Sequence, residues 1–179
     1  RAGPAYGGSC FPKDSKAIVI TANKFKTNLS LVKSVIKSNK NRSSLLLNRV
    51  FSLLSGKVKN KKICFLGVTF KANTDDMRDS SSLSMIPALV KRGAKINYYD
   101  PTGEKKEFKN IKNVNFSQNI KIAVRHSDLV IIHTEWNDFK SINFKKEVLN
   151  KNFILFDMRN IYSPIKMKSQ KIKYHGVGH

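Results

Sequence analysis

Between Lys61 and Asp157 the chain repeats one pattern: a short run of mainly apolar residues, then a helical segment, then another run. The runs are Lys61-Lys-Ile-Cys-Phe-Leu-Gly67, Lys95-Ile-Asn-Tyr-Tyr-Asp-Pro101, Asp128-Leu-Val-Ile-Ile-His-Thr134 and Phe153-Ile-Leu-Phe-Asp157. Between them, helices are expected over Ser80 to Arg92, Ile120 to His126 and Phe144 to Leu149, with Gly93 stopping the first. A last short strand is expected at Lys171 to Tyr174. Strands of continuous apolar character that alternate with helices argue for a parallel sheet covered on both faces. The fold class is therefore α/β.

Asp100 closes the second strand, where a Rossmann domain holds a ribose. The first strand-to-helix turn, Gly67-Val-Thr-Phe-Lys-Ala-Asn-Thr-Asp-Asp, lacks the GxGxxG fingerprint. The expectation is a Rossmann-like sheet without its own dinucleotide signature.

Ahead of the sheet the pattern is helical. Asp14 is expected to cap a short helix reaching about Asn23, whose start presents free N–H groups to the residues before it. A longer segment runs from about Leu29 to Leu54. Leu29, Val32 and Ile36 repeat at helical spacing, as do Leu46, Val50 and Leu53. The polar middle, Ser38 to Ser44, leaves open one helix or two broken near Asn41, and Gly56 is a natural stop. The apolar positions extend further than one small domain needs, which predicts a homodimer built on this helix.

The 179 residues carry a formal net charge of +22. Such a charge suits a nucleic-acid binder, but its lysines are spread along the chain rather than gathered on one motif. No zinc finger, helix-turn-helix or aromatic-interleaved RNA motif appears. The expectation is a solvated lysine surface with a few cations kept for a small anion, and no nucleic-acid partner. No run approaches the roughly 18 apolar residues of a membrane span. The two cysteines, Cys10 and Cys64, form no CxxC and no metal-ligand cluster, so no metal is expected. Free thiols and no secretion signal predict a reducing cytoplasm.

Chemistry concentrates in the opening loop, Arg1-Ala-Gly-Pro-Ala-Tyr-Gly-Gly-Ser-Cys10-Phe-Pro-Lys-Asp14. A thiol attacks carbon as thiolate, and glycine-freed backbone amides with a nearby cation, Lys13, favour that form. Asp14, one helical turn on, can orient or deprotonate water. The pattern reads as covalent catalysis at Cys10 or as a small buried cysteine in a Gly-rich turn. Cys64, inside Ile63-Cys-Phe-Leu66, reads as a core thiol. The opening at Arg1, within the loop and without an initiator Met, predicts a piece of a longer protein. A second motif follows the first strand: Gly67-Val-Thr-Phe-Lys71-Ala-Asn-Thr-Asp-Asp-Met-Arg78-Asp-Ser-Ser-Ser82. Its Lys71, Arg78, hydroxyls and helix N-terminus suit phosphate, unless its own aspartates neutralise its cations.

Together the two motifs resemble the UDP-glucose/GDP-mannose dehydrogenase family. The GGSCFPKD loop is similar to that family's catalytic-cysteine segment, and GVTFKANTDDMRDSSSL to its nucleotide-sugar motif. His133-Thr-Glu-Trp-Asn-Asp-Phe139 and Asp157-Met-Arg-Asn160 stand where the family carries TEW and D-x-R-N. The resemblance covers nearly the whole chain and is closest to the UDP-glucose-oxidising branch. Ala5 and Met158 depart from it, each replacing a usual glycine. The resemblance implies NAD-dependent oxidation of the C6 alcohol of UDP-glucose to UDP-glucuronate, with Cys10 as nucleophile and Asp14 handling water. It implies substrate contacts from Arg1, Ala2, Gly3, Pro4, Ala5, Tyr6, Gly7, Phe70, Lys71 and Arg159. It implies that Cys10, Phe11, Pro12, Lys13 and Arg78 border NAD. It further implies two parts, 1–56 with the cysteine loop and dimer-forming central helix, and 57–179 as a Rossmann-like UDP-sugar-binding domain. The family's GxGxxG domain would precede both, so the chain alone is expected to be inactive. The residues alone leave GDP-mannose or a UDP-N-acetylhexosamine open as substrate.

Overall fold

A computed structural model describes residues 3–178. Two helices lead the chain, α1 (Phe11–Lys24) and α2 (Ser30–Leu53). The sheet unit follows as β1 (Lys62–Leu66), α3 (Ser82–Lys91), β2 (Lys95–Tyr99), β3 (Val114–Phe116), α4 (Ile120–Val124) and β4 (Leu129–Ile132). It ends with a short 3-10 turn (Asn137–Ser141), α5 (Phe144–Glu147), β5 (Ile154–Asp157), α6 (Pro164–Ser169) and β6 (Lys173–Gly176).

The six strands lie in the order β3-β2-β1-β4-β5-β6, and every neighbouring pair is parallel. This is the doubly wound order, whose direction of winding reverses between β1 and β4. Central strands need apolar residues on both faces, and β4 is buried at every position from Leu129 to Ile132. Two cores result. Ile63, Phe65, Ile96 and Ile131 face one side with Met85, Ile86 and Leu89 of α3. Cys64, Leu66, Val130 and Ile132 face the other with Phe139, Phe144 and Phe153.

α2 is one helix, unbroken through its polar middle, and its 24 residues span about 36 Å at 1.5 Å per residue. Ser55 and Gly56 adopt positive φ at its end, and the Gly56 N–H returns to the Phe51 carbonyl, as in a glycine-type stop. Leu46, Val50 and Leu54 pack into the first core. The homodimer expectation drew on the whole apolar stripe of this helix, and it is corrected at Leu46 and Val50, which are spent within the chain. The apolar residues that α2 leaves exposed are Leu31, Val35 and Leu45.

Asp14 does not cap α1. The helix begins at Phe11, Cys10 holds the N-cap position, and Asp14 lies in the first turn with its N–H on the Cys10 carbonyl. Asp100 also departs from expectation. It is buried, with Oδ2 accepting from the Val68 N–H and Oδ1 from the N–H and hydroxyl of Thr102. Its oxygens tie two loops together instead of facing a ribose.

Candidate active site

In an open parallel sheet, ligands sit beyond the carboxyl ends of the strands where the winding reverses. That point lies between β1 and β4, and three loops converge on it: 67–81 after β1, 133–136 after β4, and 158–163 after β5. Gly67 makes the convergence possible. It has φ +74°, and a Cβ there would lie 2.4 Å from the Cβ of Thr134.

The cysteine loop docks on this crevice from the helical side. It has no ladder of its own, so its peptide groups must find partners elsewhere. The Gly8 N–H donates to the Arg78 carbonyl at 2.8 Å. The Tyr6 N–H donates to Asn39 Oδ1 on α2 (2.9 Å), and Asn39 Nδ2 donates back to the Tyr6 carbonyl (3.0 Å). The glycines allow backbone contact. A Cβ on Gly7 would meet the Asp79 carbonyl oxygen at 2.7 Å, and one on Gly8 would meet the Phe70 ring at 2.7 Å. The two sequence motifs are thus packed against each other.

Gly3, Ala5, Tyr6, Gly7, Phe70, Lys71 and Arg159 line one cavity of about 400 Å³, together with Asn39 and Arg42. Pro4 is buried beside them. Arg1 and Ala2 lie outside the described residues. Three cations, Arg42, Lys71 and Arg159, face this cavity, and among the described residues no carboxylate lines it. Lys71 is exposed, with Nζ 5.5 Å from the centroid of the Phe70 ring.

Arg159 is anchored from behind. Its Nε donates to the His133 carbonyl (2.9 Å) and its second terminal nitrogen to the Phe70 carbonyl (2.6 Å). Glu135 Oε2 lies 2.9 Å from Nε, but the N–H points to the His133 carbonyl, so that contact is electrostatic only. Burial lowers the Arg159 pKa, and Glu135 opposes the shift. A Cβ on Gly3 would meet Nη1 at 2.6 Å, so the loop closes over this guanidinium. Met158, in place of the family's glycine, is buried in the core and reaches no part of the cavity lining.

Beneath Arg159, His133 is buried with Nε2 2.8 Å from the Ser81 hydroxyl and Nδ1 3.2 Å from the Thr134 hydroxyl. The Thr134 hydroxyl donates to the Thr69 carbonyl, so its oxygen accepts from the ring. That places the imidazole proton on Nδ1 and leaves Nε2 to accept from Ser81. Burial, helped by the Arg159 charge, brings the His133 pKa down to about 3. Ser80 and Ser82 both donate to the Val68 carbonyl. All three serines at the start of α3 are therefore turned inward. The expectation that these hydroxyls face phosphate is corrected: they hold the loop in shape.

On the opposite side of the loop, Pro12, Lys13 and Arg78 share a second cleft of about 630 Å³ with Gly8, Ser9, Lys16 and Asp79. Phe11 is not in its lining; its ring meets Tyr6 edge-on at 4.7 Å. Arg78 is held in a two-pronged pair by Asp76, at 2.9 Å and 2.8 Å. That pair lowers the Asp76 pKa, and the motif partly neutralises its own cations. Cys10 is exposed, with Sγ 3.5 Å from the Ser9 hydroxyl, and Asp14 is exposed and paired to Lys13 at 3.4 Å. The pair with Asp76 also raises the Arg78 pKa. Cys64 is fully buried, and burial drives its pKa up, as expected of a core thiol. Among the described residues no group of three His, Cys, Asp or Glu could hold a metal ion. No helix among them is long and apolar enough to cross a membrane.

Sequence reasoning did not single out Asn39 and Arg42, which sit in a polar stretch that resembles any solvated helix face. Their i, i+3 spacing puts both on one face, but only the docking of the loop identifies that face.

Fold and site together define a Rossmann-like protein with a cationic cavity of about 400 Å³, edged by the loop that carries an exposed thiol. Family models agree. Residues 64–164 match the UDP-binding domain of the UDP-glucose/GDP-mannose dehydrogenase family, and residues 1–41 match its central domain. The chain is 38% identical to a UDP-glucose 6-dehydrogenase of Rhizobium meliloti over 99% of its own length and 41% of that protein's. It is 37% identical to one from Bacillus subtilis, over 99% and 41%. A solved UDP-glucose dehydrogenase from Pyrobaculum islandicum superposes with a TM-score of 0.81 at 25% identity, covering 98% of this chain and 38% of that one. The chain belongs to the UDP-glucose/GDP-mannose dehydrogenase family. It spans about two fifths of the length of the curated relatives it matches.

Proposed function

We propose that the chain is the cysteine-bearing, UDP-sugar-binding part of an NAD-dependent UDP-glucose 6-dehydrogenase. The observation that carries this reading is the contact between the motifs. The Gly8 N–H bonds to the Arg78 carbonyl, and Gly8 lies against the Phe70 ring, so the thiol's loop forms one edge of the cationic cavity. In this reading Lys71 and Arg159 hold the diphosphate and sugar, Phe70 packs on the nucleotide, and the backbone from Arg1 to Gly7 follows the sugar. Residues 1–56 supply the cysteine loop and central helix, and residues 57–179 the UDP-sugar-binding domain.

Bound NAD supplies the hydride acceptor for each of two oxidations. The second cleft would border an anionic dinucleotide at its edge through Lys13, Lys16 and Arg78, which outnumber the one carboxylate in its lining, Asp79. Loss of the first hydride and a proton converts the C6 alcohol to an aldehyde. The Cys10 thiolate adds to C6, and the oxygen takes a proton to give a thiohemiacetal. Loss of the second hydride and that proton leaves a thioester. Water, placed by Asp14, attacks C6 and its two protons pass by way of the Asp14 carboxylate to solvent; the C–S bond breaks, the carboxylate product leaves and Cys10 regains its thiolate. Covalent attachment keeps the aldehyde from escaping between oxidations.

A second copy of the chain is proposed to cover the exposed side of α2 at Leu31, Val35 and Leu45. The protein is placed in the cytoplasm, where free thiols persist, with its excess lysine on the surface and no nucleic-acid partner. The test is product analysis with the full-length protein. Two NADH should form per UDP-glucuronate, and Cys10→Ala should make no acid while Cys64→Ala stays near wild type. Acid production by the Cys10 variant rejects the nucleophile. Faster turnover of GDP-mannose or a UDP-N-acetylhexosamine moves the substrate assignment to those sugars. The 179-residue chain by itself is expected to make no NADH.

A further inference from the structure

We infer that Asn39 is a positioning residue that holds the cysteine loop in register with the sugar-nucleotide cavity, an inference that rests on the reading of Cys10 as nucleophile. Asn39 sits in the middle of α2, far in sequence from the loop, and its amide pairs with both the N–H and the carbonyl of Tyr6. An amide offers one donor and one acceptor side by side, as a peptide group does, and only Asn and Gln carry that pair on a side chain. The clasp therefore replaces the strand ladder that the loop lacks. It also forms the wall between two cavities, of about 570 and 400 Å³, both lined by Ala5, Tyr6 and Asn39.

Tyr6 is four residues from Cys10, and the segment between them is pinned at Gly8 to the Arg78 carbonyl. Two fixed points, one on α2 and one on the 67–81 loop, define the path of the chain into α1 and hence where Sγ stands. Removing the Asn39 amide frees the first point. The groups that hold a UDP moiety in the proposed function, Phe70, Lys71 and Arg159, take no hydrogen bond from Asn39. Loss of the clasp should therefore spare UDP affinity and damage the thiol's placement.

The experiment compares Asn39→Ala, Asn39→Asp and Asn39→Gln in the full-length protein. Asn39→Ala should lower UDP-glucuronate formation by about 10- to 100-fold, the scale on which an ångström of misplacement acts. UDP affinity by calorimetry should stay within about threefold of wild type, a change of well under 1.4 kcal/mol. Asn39→Asp keeps the acceptor for the Tyr6 N–H but sets a carboxylate against its carbonyl, and should be no better than Ala. Asn39→Gln keeps the amide and should recover part of the rate. The rate of Cys10 alkylation by iodoacetamide should change in Asn39→Ala. Unchanged turnover, or turnover and UDP affinity falling together, overturns the inference. If the wild type makes no UDP-glucuronate, the proposed activity fails on that result. The clasp is then decided by alkylation: a wild-type rate in Asn39→Ala refutes it.

Discussion

Protonating His133 should loosen the floor of the site, and the size of the effect follows from its burial. Its pKa falls from 6.5 to about 3 because the charged ring would sit without water beside Arg159. In the unfolded chain the ring titrates near 6.5. Between these values the unfolded state binds a proton that the native state refuses, so stability is fully present above pH 6.5 and drains away towards pH 3. Each pH unit costs up to about 1.4 kcal/mol, so pH 4.5 should cost about 2.7 kcal/mol relative to pH 7. With a urea m-value of about 2 kcal/mol/M, the midpoint should drop by about 1.4 M. Two carboxyl groups add their own slopes. Asp76, whose pKa is lowered by Arg78, also loses stability as pH falls through its folded value. Asp157, whose pKa is raised by burial, works in the opposite sense, losing stability as pH rises from its unfolded to its folded value. The comparison with His133→Gln removes both, since Gln can still accept from Ser81 but does not titrate. The difference between the two proteins should be flat above pH 6.5 and slope below it. Parallel profiles from pH 7 to 4.5 would refute the assignment of a neutral, buried His133.

Other consequences can be checked separately. Lys71→Ala in the full-length protein should weaken UDP-glucose binding by about one to two decades, the worth of about 1.5–3 kcal/mol for a charged hydrogen bond. Replacing Lys57 and Lys59 together should change it by less than about threefold, since exposed charges beyond about 8 Å are screened; equal losses in calorimetry would assign binding to the general field. Leu31→Asp with Val35→Asp should yield folded monomers in sedimentation, and a wild type already monomeric at micromolar concentration removes the proposed interface. Leu46→Asp with Val50→Asp should instead unfold the chain, because both positions are within the core and a buried charge without a partner costs several kcal/mol.

What the sequence made legible, and what it did not, divides along physical lines. β1, β4 and β5 could be read because strands buried on both faces carry almost unbroken apolar runs, and β2 because Ile96, Tyr98 and Tyr99 keep its run apolar around Asn97. β3 could not: Val114–Phe116 is a three-residue edge strand, nowhere fully buried, and its residues look like loop. The continuity of α2 was undecided because a helix needs only one buried stripe, and polar residues at Ser38 to Ser44 are compatible with either outcome. The site shows the same division. Cys10, Asp14, Lys71 and Arg159 announce their chemistry by residue type. Direction is another matter. The hydroxyls of Ser80, Ser81 and Ser82 read as phosphate ligands in one dimension, yet each is spent on a carbonyl or a ring nitrogen within the chain. Arg78 reads as a free cation, yet Asp76 two residues earlier already holds it. Asn39 reads as a solvated amide until the Tyr6 peptide is seen against it. A polar group's type is local to its residue, but its partner is set by tertiary contacts. Lys71 and Arg42 line the cavity and form no ion pair among the described residues, and that remainder becomes visible only once the loops after β1, β4 and β5 are brought together.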